Sequence, residues 1–315
     1  MTRTATAVPH FLDVDDLSRE QLRKLLDEAL QWKGAPDSVP HILEGHSIAA
    51  YYEKPSARTR ISFEVAITSL GGHPITLRPE EIGLGKRETT ADVARMLSGY
   101  CAVVGARVYD HRTLEDLAEA SEIPVINLLS DKAHPCQTLA DLLTLEEVIG
   151  GLEGRRVAFV GDGNNVAASL AIGAALTGLE LTVASPSGYE LSETTLDRAR
   201  SLGGRVEVTS DPVEAVADAH AVYTDVWTSM GQESESATRL GVFAPYQVTQ
   251  AIMAAARPGA FFLHCLPAHR GEEVTAEVID GPASVVWRQA ENRMHVARGL
   301  LAHLARASGA YKESS

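Results

Sequence analysis

Residues 46–72 read HSIAAYYEKPSARTRISFEVAITSLGG, and this stretch decides the fold. It opens with HSIAAYYE, an apolar run of the length of a buried strand, and continues after Ser56 with a helical pattern. A second strand-like run, GHPITLR, follows at 72–78. A strand, a helix and a strand in this order predict one βαβ unit of a parallel sheet.

The turn inside this stretch carries a concentration of positive charge. Lys54, Arg58 and Arg60 crowd the expected start of the helix. A helix N-terminus already has a partial positive charge from its unpaired N–H groups, so cations there are unfavourable unless an anion lies among them. The turn therefore predicts a local anion site.

Strand-like runs alternate with helical patterns through the rest of the chain, which is typical of parallel sheets. The first half also has CAVVGARVY and PVINLLS, and the second half has RRVAFVGD, LELTVAS, RVEVTS, HAVYTDVW, AFFLHCLP and SVVWRQ. Ser18 and Gln21 form a capping box for a helix through about Trp32. A glycine-rich turn within EEVIGGLEGRR, at 146–156, marks a domain boundary.

These patterns predict an α/β fold of two doubly wound domains, each a mostly parallel sheet flanked by helices, with the active site in the cleft between them. The first domain is expected at 1–148, joined by a C-terminal helix at 291–315, and the second at 149–290. A chain of 315 residues is long enough for two domains of about 150 residues.

Composition excludes several classes of protein. A net charge of −14 argues against nonspecific binding to nucleic acid or to an anionic membrane, because both depend on neutralising phosphates. The three cysteines lie far apart without a C-x-x-C pair, which argues against a disulfide framework and a zinc site. The first residues lack the apolar run of a signal peptide, so we expect a cytoplasmic protein.

Polar side chains follow the predicted strands of the first half at one rim. In open parallel sheets, ligands bind outside the carboxyl ends of the strands, where these side chains lie. The three sets are Lys54 to Arg60, Arg107, and His134 to Gln137. Two of the sets open helices, whose N–H groups together with Arg58 and Arg107 suit a phosphate or a similar dianion.

The second half repeats this arrangement with a different chemistry. The run GDGNNV at 161–166 lacks the third glycine of a dinucleotide-binding fingerprint, because Val166 stands there. Asp225 suits an ammonium group, and Asn165 with nearby N–H groups suits a carboxylate, so we expect a zwitterionic small molecule.

Cys265 next to His264 raises the alternative of a nucleophilic thiol with a neighbouring base. Adjacent strand residues point to opposite faces, however, which favours a binding role for Cys265. The polar, glycine-containing segment from Ser229 to Tyr246 is a candidate lid over the amino acid.

Four motifs resemble those of ornithine carbamoyltransferases over nearly the full length of the chain. They are SARTR at 56–60, HPCQ at 134–137, DVWTSMG at 225–231 and HCLPAHRG at 264–271. The first two are similar to motifs shared with carbamoyltransferases that act on aspartate, and the last two resemble the ornithine branch. The resemblance implies transfer of a carbamoyl group from carbamoyl phosphate to the δ-amine of L-ornithine, which yields L-citrulline and phosphate.

The resemblance also implies the residues of the site. For carbamoyl phosphate it implies Ser56, Ala57, Arg58, Thr59, Arg107, His134, Gln137, Cys265, Leu266 and Arg293. For ornithine it implies Asn165, Asp225, Ser229 and Met230. Among these, the catalytic set is Arg58, Arg107, His134, Gln137 and Cys265. It implies no cofactor and no metal, and a homotrimer or a multiple of trimers.

Two positions depart from the motifs of this family. Ala57 replaces the usual threonine, so only its backbone N–H can serve the phosphate, and Gly83 stands where a neighbouring subunit usually offers Gln or His. Two alternatives therefore stay open. One is a carbamoyltransferase for another amine, such as putrescine, an acylated ornithine or aspartate, and the other is a non-catalytic anion-binding relative.

Overall fold

A computed structural model describes residues 8–228 and 235–310 of the chain. The chain divides into two compact units: unit 1 contains residues 1–136 and 293–315, and unit 2 contains residues 137–292. The sequence placed the boundary after residue 148, at the end of a helix, whereas the contacts divide the chain near the start of that helix, Pro135–Ile149. Both units are parallel sheets flanked by helices, as predicted.

Unit 1 contains a four-stranded parallel sheet in the order β2-β1-β3-β4. Its strands are β1 (Ser47–Tyr52), β2 (His73–Leu77), β3 (Val103–Arg107) and β4 (Val125–Leu129). Its helices are α1 (Arg19–Gly34), α2 (Ala57–Ser69), α3 (Pro79–Ile82), α4 (Thr90–Tyr100) and α5 (His111–Ala120). The predicted capping box is present at the start of α1, where Ser18 and Gln21 each accept a hydrogen bond from the other's backbone N–H.

The strand order of unit 1 changes direction at β1. From β1 the chain moves to β2 on one side and later to β3 on the other, which makes the carboxyl ends of β1 and β3 a topological switch point. Tyr52 at the end of β1 is the Cα partner of Arg107 at the end of β3. The SARTR turn and Arg107 therefore lie side by side at this point.

Unit 2 contains a five-stranded parallel sheet in the order β7-β6-β5-β8-β9. Its strands are β5 (Arg156–Val160), β6 (Glu180–Ala184), β7 (Arg205–Thr209), β8 (Ala221–Thr224) and β9 (Phe261–His264). The remaining helices of the chain are α6 (Pro135–Ile149), α7 (Asn165–Thr177), α8 (Glu193–Ser201), α9 (Pro212–Val216), α10 (Ser236–Phe243), α11 (Gln250–Ala255), α12 (Ala276–Ile279) and α13 (Val286–Ala307). The switch point lies between β5 and β8, whose carboxyl ends lead into the GDGNN turn and Asp225.

The tenth predicted strand, SVVWRQ at 284–289, is wrong. Only Ser284 makes a bridge, to Phe262, and helix α13 begins at Val286. Val286 is buried in the core of unit 2, so the first turn of this helix is as apolar as a strand. A short apolar run cannot be assigned by periodicity alone, because a buried strand and a buried helical turn give the same pattern.

Each unit has its own apolar core around its sheet. In unit 1 the fully buried side chains of Val104, Leu114 and Val125 belong to one apolar cluster. In unit 2 the fully buried side chains of Val222, Phe262 and Val274 belong to another. Over residues 8–228 and 235–310, no helix has the length and apolar character needed to cross a bilayer.

Helices α6 and α7 approach each other closely at Gly173 in unit 2. A Cβ atom added to Gly173 would lie 2.5 Å from Cγ2 of Thr138 and 3.3 Å from Cδ1 of Leu142. Contacts this short force a shift of the neighbouring helix, because packed interiors have no room for an extra methyl group. Gly173 is therefore required by packing rather than by backbone conformation.

We predict that Gly173→Ala lowers the free energy of unfolding by about 1–3 kcal/mol because it overpacks this contact. The matched control is Gly99→Ala in α4, where an added Cβ would meet nothing within 4 Å. There alanine should raise stability by about 0.5–1 kcal/mol through its helix propensity. Thermal and urea unfolding of both variants measure the difference, and shifts of the same sign would contradict the packing argument.

Candidate functional site

The anion site predicted from the SARTR turn forms the start of α2 in unit 1. Ser56 is the N-cap, and its hydroxyl accepts a hydrogen bond from the backbone N–H of Thr59. Ala57 and Arg58 occupy the first turn with exposed side chains. The first N–H groups of a helix have no carbonyl partner within it, and the partial positive charge that results attracts anions to such a turn.

Two arginine side chains converge on the hydroxyl of Thr59. Nη1 of Arg107 and Nη2 of Arg293 each lie 3.3 Å from Oγ1 of Thr59, and the hydroxyl of Ser56 lies 3.1 Å from it. Thr59, Arg107 and Arg293 are all buried. Two neighbouring guanidinium groups are costly to remove from water, and a bound anion with two negative charges offsets that cost.

His134, directly before α6, joins this group through Arg293. Nη1 of Arg293 lies 3.2 Å from Nε2 of His134, and because arginine only donates, Nε2 is the acceptor. Burial lowers the pKa of His134 well below its usual value, and the charges of Arg293, Arg107 and Lys54 lower this pKa further. The ring is therefore neutral and keeps one N–H, on Nδ1, that can act as a donor.

Cys136, within the HPCQ motif, is a buried packing residue. Its thiol lies 3.3 Å from the carbonyl oxygen of Asn127, to which it donates. Burial raises the pKa of Cys136 to about 11, against a smaller opposing effect of Arg293. A thiol with this pKa is not a thiolate nucleophile at neutral pH.

Gln137, one residue later, is buried in unit 2 and donates from Nε2 to Oδ1 of Asp141, 2.8 Å away.

The corresponding centre of unit 2 is the carboxylate of Asp225, just after β8. Nδ2 of Asn164 donates to Oδ2 over 2.8 Å, and the thiol of Cys265 donates to Oδ1 over 2.8 Å. Asp225 is only 7% exposed. Each oxygen thus has one donor and retains lone-pair capacity for a further one, which suits an ammonium group.

Asn164 contacts the candidate site residue Asp225, whereas the sequence reasoning chose its neighbour Asn165. Its Oδ1 caps α7 by accepting from the N–H groups of Val166 and Ala167, and this fixes its NH₂ group towards Asp225. Asn165, the residue predicted to bind a carboxylate, is the first residue of α7. The preference for asparagine at a helix N-cap was the available signal.

Arg239 on α10 is a second residue that the sequence did not reveal. Its buried guanidinium pairs with Asp162, donates to the carbonyl oxygen of Trp227, and lies over the rings of Tyr189 and Phe243. Burial raises the pKa of Asp162, which the charge and hydrogen bond of Arg239 oppose. The described part of the expected lid segment is thus an anchored helix and not a loop.

The HCLP motif is organised by His264, not by a pairing of His264 with Cys265. Nδ1 of His264 accepts from the backbone N–H of Leu266 over 2.9 Å, and Nε2 lies 3.0 Å from Oε1 of Glu273. Both ring nitrogens are therefore engaged, and the thiol of Cys265 donates to Asp225 instead. The arrangement of a nucleophilic cysteine and a base is absent among these described residues.

One group of side chains near Asp225 could hold a metal ion. The ligand atoms of Asp225, His264 and Cys265 lie within 4.8 Å of one another. The same atoms make the hydrogen bonds already described, so a metal would have to displace several of them. Hydrogen bonding is the simpler account of this arrangement.

Gly83 has a conformational reason to be glycine in this chain. It ends α3 with φ at +65°, and a Cβ there would lie 2.7 Å from Cβ of Arg87. A Gln or His at this position would be strained in the same turn. Lys86 in this turn is exposed.

Ser229 and Met230, both predicted to bind ornithine, lie outside the described residues.

Comparison with known proteins decides the family. Residues 9–147 match the carbamoyl-P binding domain of the aspartate/ornithine carbamoyltransferases, and residues 153–304 match their Asp/Orn binding domain. The chain belongs to this family. Its resemblance to ornithine carbamoyltransferases, inferred from the four motifs, is confirmed.

The similar proteins cover almost the whole chain. An ornithine carbamoyltransferase from Bacillus subtilis (strain 168) is 49% identical, over 96% of this chain and 95% of the relative. A relative from Pyrococcus furiosus, named as an anabolic ornithine carbamoyltransferase, is 48% identical over 93% of this chain and 95% of its own length. A solved ornithine carbamoyltransferase structure from Pyrococcus furiosus has a TM-score of 0.90 and 47% identity, and covers 94% of this chain and 96% of that one.

The lowered pKa of His134 predicts a pH dependence of stability. Below pH 6.5 the unfolded chain binds a proton at this histidine and the folded chain does not, so the free energy of unfolding falls as the pH falls. Urea unfolding from about pH 7.5 to about pH 5.5 should show a loss roughly 1 kcal/mol larger for the wild type than for His134→Asn. Equal losses in the two proteins would show that His134 titrates normally.

Proposed function

We propose that this chain transfers the carbamoyl group of carbamoyl phosphate to the δ-amine of L-ornithine, giving L-citrulline and phosphate. The observation that carries the proposal is the pair of buried guanidinium groups that meet on the hydroxyl of Thr59 beside the N-terminus of α2. Such a site suits a dianionic acyl phosphate. The comparisons support the same reaction, because the relatives carry the name ornithine carbamoyltransferase.

The proposed contacts of carbamoyl phosphate are the residues that the motifs imply. They are Ser56, the backbone of Ala57, Arg58, Thr59, Arg107, His134, Gln137, Cys265, Leu266 and Arg293. Arg58 and the N–H groups of α2 take the phosphate, since they combine a full charge with aligned dipoles.

The chemistry follows from where charge develops. The neutral δ-amine attacks the carbonyl carbon, negative charge grows on the carbonyl oxygen, and the bond from carbon to the phosphate oxygen then breaks while the nitrogen loses a proton. Arg107, His134 and Thr59 are the proposed donors to the carbonyl oxygen, each contributing about 3 kcal/mol by analogy with other oxyanion sites. His134 suits this task because its ring is neutral and donates without transferring charge.

Ornithine is the proposed amine because of how Asp225 is held. Its carboxylate is fixed by Asn164 and Cys265 and takes the α-ammonium group, so that the δ-amine is the one left to react. Asn165, Ser229 and Met230 complete the proposed ornithine contacts. Much of the remaining acceleration comes from orienting the two substrates.

We also propose a homotrimer or a multiple of trimers in the cytoplasm. Large apolar side chains are exposed on α2 and α4 of unit 1, which is typical of surfaces that another subunit covers. They include Ile61, Val65, Met96 and Tyr100. The three cysteines all lie in the described residues and form no disulfide there, in agreement with a reducing compartment.

The test of the reaction is a product assay on the purified chain with carbamoyl phosphate and a panel of amines: ornithine, N-acetylornithine, putrescine and aspartate. We expect citrulline from ornithine at a rate far above that of any other product. Turnover of a different amine without citrulline would reassign the substrate. If no amine gives a carbamoylated product, the chain is instead a non-catalytic anion-binding protein.

We predict that Arg58→Ala and Asp225→Ala impair different substrates. Loss of Arg58 should lower kcat/KM for carbamoyl phosphate about 100-fold, the value of one or two charge-assisted hydrogen bonds. Loss of Asp225 should mainly raise the KM for ornithine, because its anchor for the α-ammonium is gone. Steady-state kinetics with each substrate varied in turn measure both effects.

The control for this pair is Arg60→Ala. Arg60 is the next arginine on α2, but its Nε lies 3.3 Å from Oε1 of Glu64 in a partly exposed ion pair, so its removal should change either KM by less than about threefold. Identical profiles for Arg58→Ala and Asp225→Ala would contradict the assignment of one residue to each substrate.

A further inference from the structure

His220 lies directly before β8, at the amino end of the sheet of unit 2. Arg156 begins the neighbouring strand β5, Arg155 precedes it, and Arg257 lies between α11 and β9. Because β5, β8 and β9 are adjacent in this order, these four residues meet at one edge of the sheet. Asp225 follows the opposite end of β8, so this edge is separate from the proposed ornithine contact.

The hydrogen bonds of His220 fix which of its ring nitrogens carries the hydrogen. Nδ1 accepts from the backbone N–H of Arg156 over 3.1 Å. Burial lowers the pKa of His220, and the charges of Arg257 and Arg155 lower this pKa further, so the ring is neutral at neutral pH. A neutral imidazole has one acceptor and one N–H, and here the N–H is on Nε2.

Nε2 of His220 faces two further donors. It lies 3.5 Å from Nη1 of Arg155 and 3.3 Å from Nη1 of Arg257, and arginine side chains only donate. Three N–H donors therefore converge. This arrangement is unfavourable unless an acceptor lies among the donors.

Arg156 shows how an arginine at this edge is compensated. Its Nε lies 3.1 Å from Oε2 of Glu180, and its Nη1 lies 3.6 Å from Oδ2 of Asp218. In the part of the chain that the structure describes, no carboxylate forms an ion pair with Arg155 or Arg257. Two positive charges without an anionic partner among these residues thus lie beside one imidazole N–H.

We propose that Arg155, His220 and Arg257 form a second anion site, the amino-end site, which takes a phosphate dianion. The oxygen atoms of a tetrahedral phosphate accept hydrogen bonds from several directions, so one ion can satisfy both guanidinium groups and the imidazole N–H. A single carboxylate has fewer oxygens and only one negative charge. All three residues belong to unit 2, and the site is independent of the proposed carbamoyl transfer.

The amino-end site should bind phosphate more weakly than the anion site of unit 1. Arg257 is exposed, and Arg155 and His220 are half-buried, so water and salt screen their charges. We expect a dissociation constant of about 1 mM for phosphate, the strength of a few screened charge-assisted hydrogen bonds. At phosphate concentrations well below this value, the amino-end site stays largely empty.

The imidazole ring of His220 is the direct reporter of this site. The full-length chain is labelled with ¹³C at Cε1 of histidine, and the NMR signal of His220 is assigned by its loss in His220→Asn. Titration with sodium phosphate at constant pH and ionic strength should shift this signal along a saturable curve. A signal that does not move, or that moves without saturating, would show that water satisfies these donors and would overturn the proposal.

Arg257→Met removes one charge of the site and keeps much of the side-chain volume. The backbone N–H of Arg257, which donates to the carbonyl oxygen of Ala219, is unchanged, so the local fold should persist. The dissociation constant for phosphate should rise at least tenfold, because a charge-assisted hydrogen bond is lost. Arg155→Met should have an effect of the same size. An unchanged dissociation constant in these two variants would overturn the proposal.

The matched control is Arg200→Met on α8, which removes the same charge from unit 2. Nη1 of Arg200 lies 2.8 Å from Oδ1 of Asp197 in an exposed ion pair. Its loss should change the dissociation constant by less than threefold. A tenfold loss of affinity here would show that phosphate responds only to the net charge of the protein, and would overturn the assignment to the three residues.

Inorganic phosphate and phosphate monoesters offer the same chemical group, and a second titration with phenyl phosphate separates them. A saturable shift of the His220 signal with both ligands assigns the site to organic phosphates as well as to the free ion. A shift with inorganic phosphate alone restricts it to the free ion, and a shift with neither overturns the proposal. Citrulline formation does not enter these measurements, so the proposed function and the amino-end site stand or fall separately.

Discussion

Two buried guanidinium groups on one hydroxyl are the constraint on which the rest of unit 1 depends. Arg107 at the end of β3 and Arg293 on α13 meet at Thr59, in the first turn of α2. Like charges this close are unfavourable, so the surrounding structure must hold them until an anion arrives. Their charges also keep His134 neutral, and this couples the binding of an anion to the donor properties of the ring.

The candidate site of unit 2 is built around a negative charge, the carboxylate of Asp225. Asp225 is held by an amide from the cap of α7, which follows β5 at the switch point of the sheet, and by a thiol from the end of the neighbouring strand β9. The same logic applies in both units: a charged group is placed at the carboxyl ends of central strands and oriented by neutral hydrogen-bonding groups. Those neutral groups decide which substrate atoms the charge can reach.

Much of this could be predicted from the sequence because the strand ends are local features. The nine strands of the described residues and the start of α2 after Ser56 follow from apolar runs and capping preferences, and most motif residues follow from their positions after strands. The contacts of Asn164 with Asp225 and of Arg239 with Asp162 could not be predicted, because these partners lie far away along the chain. The prediction of a strand at SVVWRQ was wrong because a buried helical turn has the same apolar pattern as a buried strand.

The most direct test of this account is calorimetric titration of the wild type and of Arg293→Met with inorganic phosphate and with carbamoyl phosphate. Methionine fills much of the arginine volume without its charge or its contact with Thr59. The account predicts one anion bound per chain in the wild type, and affinity at least tenfold weaker for both ligands in the variant. Equal affinities in the two proteins would contradict the claim that these converging guanidinium groups form the anion site.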